Sequence, residues 1–289
     1  MITVFMQQAL NGVVLGCIYA LTALGLSLVF GILEVANFAH GELYMLGAFM
    51  ALFATKLVGA PFFIALLISM SIMAVFGALT ERVVFRPIVG KPMINSMLLS
   101  FGLSTALANL ALFFFKADPR KIDSGLADIR FRFLGLYVTA ERLSVLVLSI
   151  ALVALLAWFI QYTKTGKAMR AISQDRVAAQ LAGINVRRIY SVTFAISGAL
   201  AAAAGTMVGA IFFVSPEMGF SVVLKSFVVI ILGGFGSIRG VILAAIIIGL
   251  AESLGGGYIS YAYKDAYPFL LLVLLFMLRP QGLIGGRRS

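Results

Sequence analysis

Apolar residues follow one another along this chain in long blocks, at about 4–31, 38–56, 61–81, 93–115, 142–160, 189–214, 221–254 and 266–279. Most blocks are long enough to cross the roughly 30 Å hydrocarbon core of a bilayer as a helix. Backbone in lipid must satisfy its own hydrogen bonds, so a continuous apolar block of this length predicts a helix. The pattern therefore predicts an all-α, polytopic integral membrane protein with about eight transmembrane helical segments. No shift in composition marks a second domain, so residues 1–289 read as one unit. The longest hydrophilic gaps are 116–141 and 161–188.

Two interruptions stand out. The first reads Gly31-Ile32-Leu33-Glu34-Val35-Ala36-Asn37-Phe38-Ala39-His40-Gly41-Glu42, and the second reads Gly233-Gly234-Phe235-Gly236-Ser237-Ile238-Arg239-Gly240. Glycine supplies the backbone freedom for a sharp turn. Interrupted or re-entrant helices are expected near 31–41 and 233–240.

Composition narrows the class. About 62% of the residues are hydrophobic and 11% are charged, against roughly a quarter charged in a soluble domain. A soluble enzyme, a disordered chain and a disulfide scaffold are excluded. Cys17 is the only cysteine and reads as a small packed hydrophobe. The first block follows no basic n-region, which favours a retained span over a cleaved signal.

The net charge of +11 changes the picture through its placement. Arg82, Arg86 and Lys91 fall in one gap. Lys164, Lys167, Arg170, Arg176, Arg187 and Arg188 fall in 161–188, and Arg279, Arg287 and Arg288 in the tail. Asp175 is the one acid among these three stretches. Basic loops prefer the cytoplasmic side, so all three are expected there. This is topology, not a nucleic-acid footprint, which needs a clustered basic face. Parity then puts the charge-balanced gap 116–141 outside, with Met1. It also requires 221–254 to fold back on itself, as two short helices or a re-entrant hairpin with its glycine turn toward the cytoplasm.

Irregular backbone at membrane depth lines cavities or is buried in protein, and broken helices mark transport pathways. The first interruption holds the only histidine, two carboxylates and an amide. It reads either as a cytoplasmic loop or as a pathway-lining break, with Gly31, Asn37, His40, Gly41 and Glu42 as candidates. Gly233, Gly234, Gly236 and Ser237 are the candidates in the second. Ser96, Ser100 and Ser104 share one helix face, for interhelical packing or, at Ser100, for the pathway. Gly12/Gly16 and Gly205/Gly209 fit close helix contacts. Glu217, Lys225, Glu252 and Asp265 read as interfacial or snorkelling charges. A single histidine argues against a zinc site, and no Gly-x-Ser-x-Gly element announces a nucleophile. A P-loop lysine pair is missing from the glycine cluster, so ATP would have to be bound by another chain. A proton relay through Glu34, His40 and Glu42 is the rival transport chemistry.

The gap 161–188 looks organised. Ser173 is a candidate N-cap for a short helix ending at Gly183, which reads as a docking element or a solvated connector.

Over nearly its whole length the chain resembles the branched-chain amino acid ABC-transporter permease family, of the LivH type. The resemblance is carried by Gly25-Leu26-Ser27-Leu28-Val29-Phe30-Gly31, Asn37 to Glu42, Met45-Leu46-Gly47-Ala48, Gly233 to Gly240, and Gly249-Leu250-Ala251-Glu252. It implies a permease of a bacterial-type importer in the cytoplasmic (inner) membrane. A related second permease, two cytoplasmic ATPase subunits that hold ATP and Mg²⁺, and a periplasmic or surface binding protein would be its partners. Urea or short-amide permeases share the motifs. Such permeases carry a Glu-Ala-Ala-x-x-x-Gly coupling element. Ala178, Ala179 and Gly183 match it, Val177 replaces the glutamate, and Asp175 and Arg176 stand as possible substitutes.

Overall fold

A computed structural model describes residues 2–133 and 136–278. Its long helices are α1 (Ile2–Leu33), α2 (His40–Val58), α3 (Phe62–Thr80), α4 (Met93–Phe115), α5 (Ala140–Tyr162), α8 (Val186–Ile211) and α10 (Ile238–Tyr258). Each is long and apolar enough to cross a membrane. Shorter apolar helices α9 (Met218–Gly233) and α11 (Tyr267–Leu278) complete the bundle. Polar helices α6 (Lys164–Gln174) and α7 (Arg176–Leu181) lie between α5 and α8. Helix α3 continues through a wider π turn and a 3₁₀ turn to Ile88.

The 221–254 block is two helices, as its glycines suggested: α9 and α10 are joined by the four residues 234–237. A Cβ on Gly233 would stand 2.6 Å from the carbonyl oxygen of Gly240, so only glycine permits this hairpin. Gly234 leaves α9 at φ +87°. The Ser237 hydroxyl accepts from the Gly240 N–H and caps α10.

The loop placements follow the charge pattern where it can be read; the tail with Arg279, Arg287 and Arg288 lies outside the described residues. Gly236 lies with Met169, Arg170 and Ser173 of α6 around a small cavity, so the glycine turn and the basic connector share one end of the bundle. Arg86 joins that end, paired with Glu81 at 2.7 Å, while Ser191 of α8 donates to the same carboxylate. At the opposite end Gln7 exchanges hydrogen bonds with the backbone of Tyr137, and Asn11 accepts from Arg142. The start of α1 therefore shares an end with the 116–141 segment.

That segment departs from the purely helical expectation. Arg130–Phe133 (β1) and Leu136–Thr139 (β2) form a two-stranded antiparallel hairpin. Arg120 bridges Val214, which ties the segment to the end of α8. A hairpin this short needs such support, and apolar-block counting has no way to register four-residue strands.

The interior is built on α1 and α8, which are mostly buried, whereas α4 and α5 turn much of their length outward. Small residues set the close crossings. A Cβ on Gly16 of α1 would lie 2.7 Å from the Ile246 Cα of α10, and one on Gly12 2.8 Å from the Leu250 Cα. Gly77 of α3 meets Phe194 of α8 with similar closeness. Without a hydrophobic drive between helices in lipid, backbone approach of this kind supplies the packing.

These crossings expose an internal repeat. Helices α1 and α8 end at Leu33 and Ile211, and α2 and α9 begin at His40 and Met218; 211 − 33 and 218 − 40 are both 178. The same shift pairs Gly41 with Gly219. Contacts follow the repeat: α1 packs on α10 where α8 packs on α3.

Candidate functional site

Helix α1 ends at Leu33, and Glu34 stands beyond it at φ +56°. This left-handed conformation is uncommon for a residue with a side chain. Residues 34–39 then turn back into the bundle, and α2 begins at His40. The interruption is thus narrower than 31–41: Gly31 remains in α1, and His40, Gly41 and Glu42 form the first turn of α2. The start of α2 sits deep. His40 Nε2 donates to the Thr22 carbonyl at 3.0 Å, and its Nδ1 lies 3.3 Å from the Ser197 hydroxyl. Thr22 is eleven residues from the end of α1 (33 − 22) and Ser197 eleven residues into α8 (197 − 186). At 1.5 Å per residue, both contacts lie about 16 Å in from the basic end of their helices, so His40 sits well inside the bundle. Gly25 gives it room, since a Cβ there would be 3.1 Å from the ring.

A matching turn comes from the other end of the bundle. Residues 212–217 leave α8, and α9 starts at Met218. Gly41 and Gly219 meet backbone to backbone: a Cβ on Gly219 would stand 2.6 Å from the Gly41 oxygen. Beyond that contact Phe227 of α9 reaches Phe38, 4.8 Å between ring centroids. Helix α9 therefore runs toward the basic end while α2 runs away from it. Two helix starts face each other inside the bundle, each carrying the partial positive charge of a helix N-terminus; in α2 the N–H groups of His40 and Glu42 bond the Asn37 and Ala39 carbonyls, and in α9 that of Met218 bonds the Ser215 carbonyl. Neither is capped by a side chain.

The polar residues gather here. Glu42 is buried; its Oε1 accepts from the Ser104 hydroxyl of α4 at 3.0 Å, and its Oε2 has no partner. Asn37 is buried with both amide atoms unpartnered. Ser100 donates to the Ala36 carbonyl at 3.1 Å and holds the re-entrant stretch against α4. A cavity of about 480 Å³ opens beside Glu42, lined also by Asn109 and Leu112 of α4 and by Glu217, Phe220 and Ser221.

The sequence-derived candidates thus divide. Asn37, His40, Gly41, Glu42 and Ser100 come together at the facing helix starts. Gly31 and Gly236 come together at the basic end, around a separate cavity of about 90 Å³. Gly233, Gly234 and Ser237 build the α9–α10 turn there. Arg239 is exposed and forms no ion pair among the described residues. No hydrogen bond links Glu34, His40 and Glu42 among the described residues: Glu34 is exposed, and both nitrogens of His40 are taken by other partners. A continuous relay through the three is not what the geometry offers.

The counterpart break at 212–217 was missed. It carries no histidine or amide cluster, and it reads as an ordinary gap between two apolar blocks. Its signal was Pro216 followed by Gly219, legible only once the 178-residue shift is known. A second correction concerns Lys225 and Glu252, expected at span ends. Both are buried, paired at 2.8 Å. Tyr19 donates to Glu252 at 2.8 Å, and Asp265 reaches Lys225 at 2.6 Å. A run of apolar helix around each charge hid a pairing that only folding creates.

At the basic end, Ser173 is not the cap that sequence suggested. Helix α6 runs through it to Gln174, and Asp175 breaks the helix in an extended conformation. The Asp175 carboxylate accepts from the N–H groups of Val177 and Ala178 and starts α7. An aspartate carries charge as well as an acceptor to the positive helix start. Gly183 follows α7 at φ +82°, with its N–H bonded to Gln180 and that of Ile184 to Ala179. This is a Schellman ending, which favours glycine at that position. Ala179 packs inward, while Arg176, Val177, Ala178 and Leu181 face outward. Arg176 stacks over Tyr190, 5.6 Å from its centroid.

Residues 8–278 match the protein family described as branched-chain amino acid transport system, permease component. The high-affinity branched-chain amino acid transport permease LivH of Salmonella typhimurium is 34% identical, over 97% of this chain and 96% of its own length. BraD of Pseudomonas aeruginosa, named for the same transport, is 32% identical over 97% and 96%. LivM of Escherichia coli is 30% identical over 92% of this chain and 68% of its own. Among solved structures, PsaBC from Streptococcus pneumoniae shares the fold with a TM-score of 0.52 at 13% identity, covering 95% of this chain and 90% of that one.

Proposed function

We propose that this chain, which belongs to the branched-chain amino acid transport permease family, is the membrane-spanning subunit of an ATP-driven importer for leucine, isoleucine and valine. The observation that carries the reading is the pair of helix starts meeting inside the bundle at Gly41 and Gly219. Discontinuous helices of this kind place backbone donors where a substrate crosses. Similarity to both LivH-type and LivM-type permeases supports pairing with a second, related permease. The basic end faces the cytoplasm by the distribution of arginine and lysine, in a bacterial-type inner membrane.

Two cytoplasmic ATPase subunits bind ATP and Mg²⁺, and one of them docks on α7. Its outward Val177, Ala178 and Leu181 form an apolar knob next to Arg176. Helix α6 connects that knob to α5 and α1, so closure of the ATPases tilts the bundle and opens the path alternately to either side. A periplasmic or surface binding protein delivers the amino acid at the opposite end.

The test is uptake by proteoliposomes holding this chain, its paired permease and two ATPases, with the binding protein outside. Leucine uptake is expected to need ATP. Ala178→Trp, at an exposed position, is expected to lower uptake at least tenfold while ATP hydrolysis continues. Uptake without the ATPases overturns the ATP-driven reading, and unchanged coupled uptake in Ala178→Trp overturns the docking role of α7.

A further inference from the structure

We propose that the cavity beside Glu42 is a binding site for a zwitterionic amino acid within the permease itself. This deepens the transport reading and rests on it. Glu42 is 1% exposed, and its Oε2 has no hydrogen-bond partner although Oε1 is held by Ser104. A buried carboxylate oxygen with nothing bound is costly. This one lines a cavity of about 480 Å³, within the roughly 300–1,000 Å³ range of small-ligand sites.

The second half of the site is the start of α9. Its cap residue Glu217 makes no side-chain cap; the N–H of Met218 reaches the Ser215 carbonyl, whereas the N–H groups of Gly219 and Phe220 form no hydrogen bond among the described residues. They form an anion-seeking helix start. The Glu42 Oε2 lies 3.0 Å from where a Cβ on Gly219 would be, so an acceptor and a donor set stand side by side. That spacing suits a molecule whose ammonium and carboxylate are separated by a single carbon. The ammonium meets Glu42, with Glu217 adding negative charge at the rim, and the carboxylate meets the α9 N–H groups. Leu112 and Phe220 supply the apolar wall for an aliphatic side chain. No basic side chain lines the cavity, so a simple anion finds no counter-charge there beyond the helix start.

Equilibrium binding of radiolabelled leucine to the purified complex, without the binding protein, tests the site. The unaltered complex is expected to bind leucine saturably. 4-Methylpentanoate, which lacks the ammonium, and isopentylamine, which lacks the carboxylate, are expected to displace it at least tenfold less well than leucine. Glu42→Gln should weaken leucine binding at least tenfold. Leu112→Trp, which fills the cavity from an exposed wall, should do the same without touching a buried charge. Displacement by isopentylamine as strong as by leucine overturns the zwitterion assignment. Unchanged binding in both variants, or no saturable binding by a complex that imports leucine, overturns the site. A complex that imports none of the three branched-chain amino acids overturns the functional reading instead, and the binding measurement still decides the site.

Discussion

The two re-entrant arms, residues 34–39 leading into α2 and residues 212–217 leading into α9, share a geometry and differ in chemistry. Each follows a long central helix, turns back into the bundle and begins a new helix there, and their glycines touch. The first arm delivers polar side chains: Asn37, His40 and Glu42, all buried. The second delivers the apolar Phe212, Phe213, Pro216, Met218 and Phe220, its one carboxylate, Glu217, is exposed at the cavity rim, and it offers its backbone donors. A repeated backbone framework thus holds two unlike halves. One supplies a carboxylate and the other an uncapped helix start, as an asymmetric ligand with two charged ends requires.

The arms are also anchored differently. Position 225 in α9 corresponds to Gly47 in α2 (225 − 178), and there the second arm carries a buried lysine instead of a glycine. Lys225→Met should have the largest effect. It leaves Glu252 buried without its cation, at a cost of about 3–5 kcal/mol, read as a fall in thermal stability of the complex in detergent. Adding Glu252→Gln should recover much of it. If Lys225→Met alone is neutral, the ion pair is not what holds α9.

Gly41→Ala and Gly219→Ala come next. Each pushes a methyl into the facing backbone, and overpacking of this kind costs about 1–3 kcal/mol. The repeat predicts similar losses for the two, measured by the yield of assembled complex and by uptake. Tolerance of one and not the other would show that the arms do not share the contact equally.

Ser197→Ala removes one hydrogen bond to His40, worth about 1 kcal/mol, from the first arm alone. An effect on α9 rather than α2, seen by amide exchange, would contradict this separation.

The smallest effect concerns Asp265, outside the spanning helices. Partial burial alone would raise its carboxyl, but the hydrogen bond and charge of Lys225, with the charge of Lys264, outweigh burial and hold it below its ordinary value. Its contribution to stability is therefore present above the ordinary carboxylate range and is lost as pH falls through the lowered value. The difference in stability from Asp265→Asn should stay constant down to about pH 4 and shrink below it. Parallel curves for the two proteins below that pH would remove Asp265 from the network that fixes α9.

Much of this architecture was legible from the chain alone. Apolar blocks gave the spans because lipid leaves the backbone no other choice, and arginine and lysine placement gave the shared ends. Polar residues in an apolar setting pointed to Asn37, His40 and Glu42. The coupling segment was legible in outline, but Asp175 rather than Ser173 caps α7. Two nearby polar residues can both serve as caps on paper, and the choice depends on which one leaves the helix. The β1–β2 hairpin was missed because its strands are four residues long and lie in a polar gap.

The sequence by itself determined that this protein is a helical membrane bundle with a basic end, an interruption near 31–41 and a turn near 233–240. Those features depend on local composition, which sets how each segment meets lipid or turns. Only the tertiary structure decided that 212–217 mirrors 34–39, that Gly41 faces Gly219, and that Lys225 finds Glu252. Each of these joins residues far apart in the chain, and their partners are chosen by how closely small side chains let the helices approach.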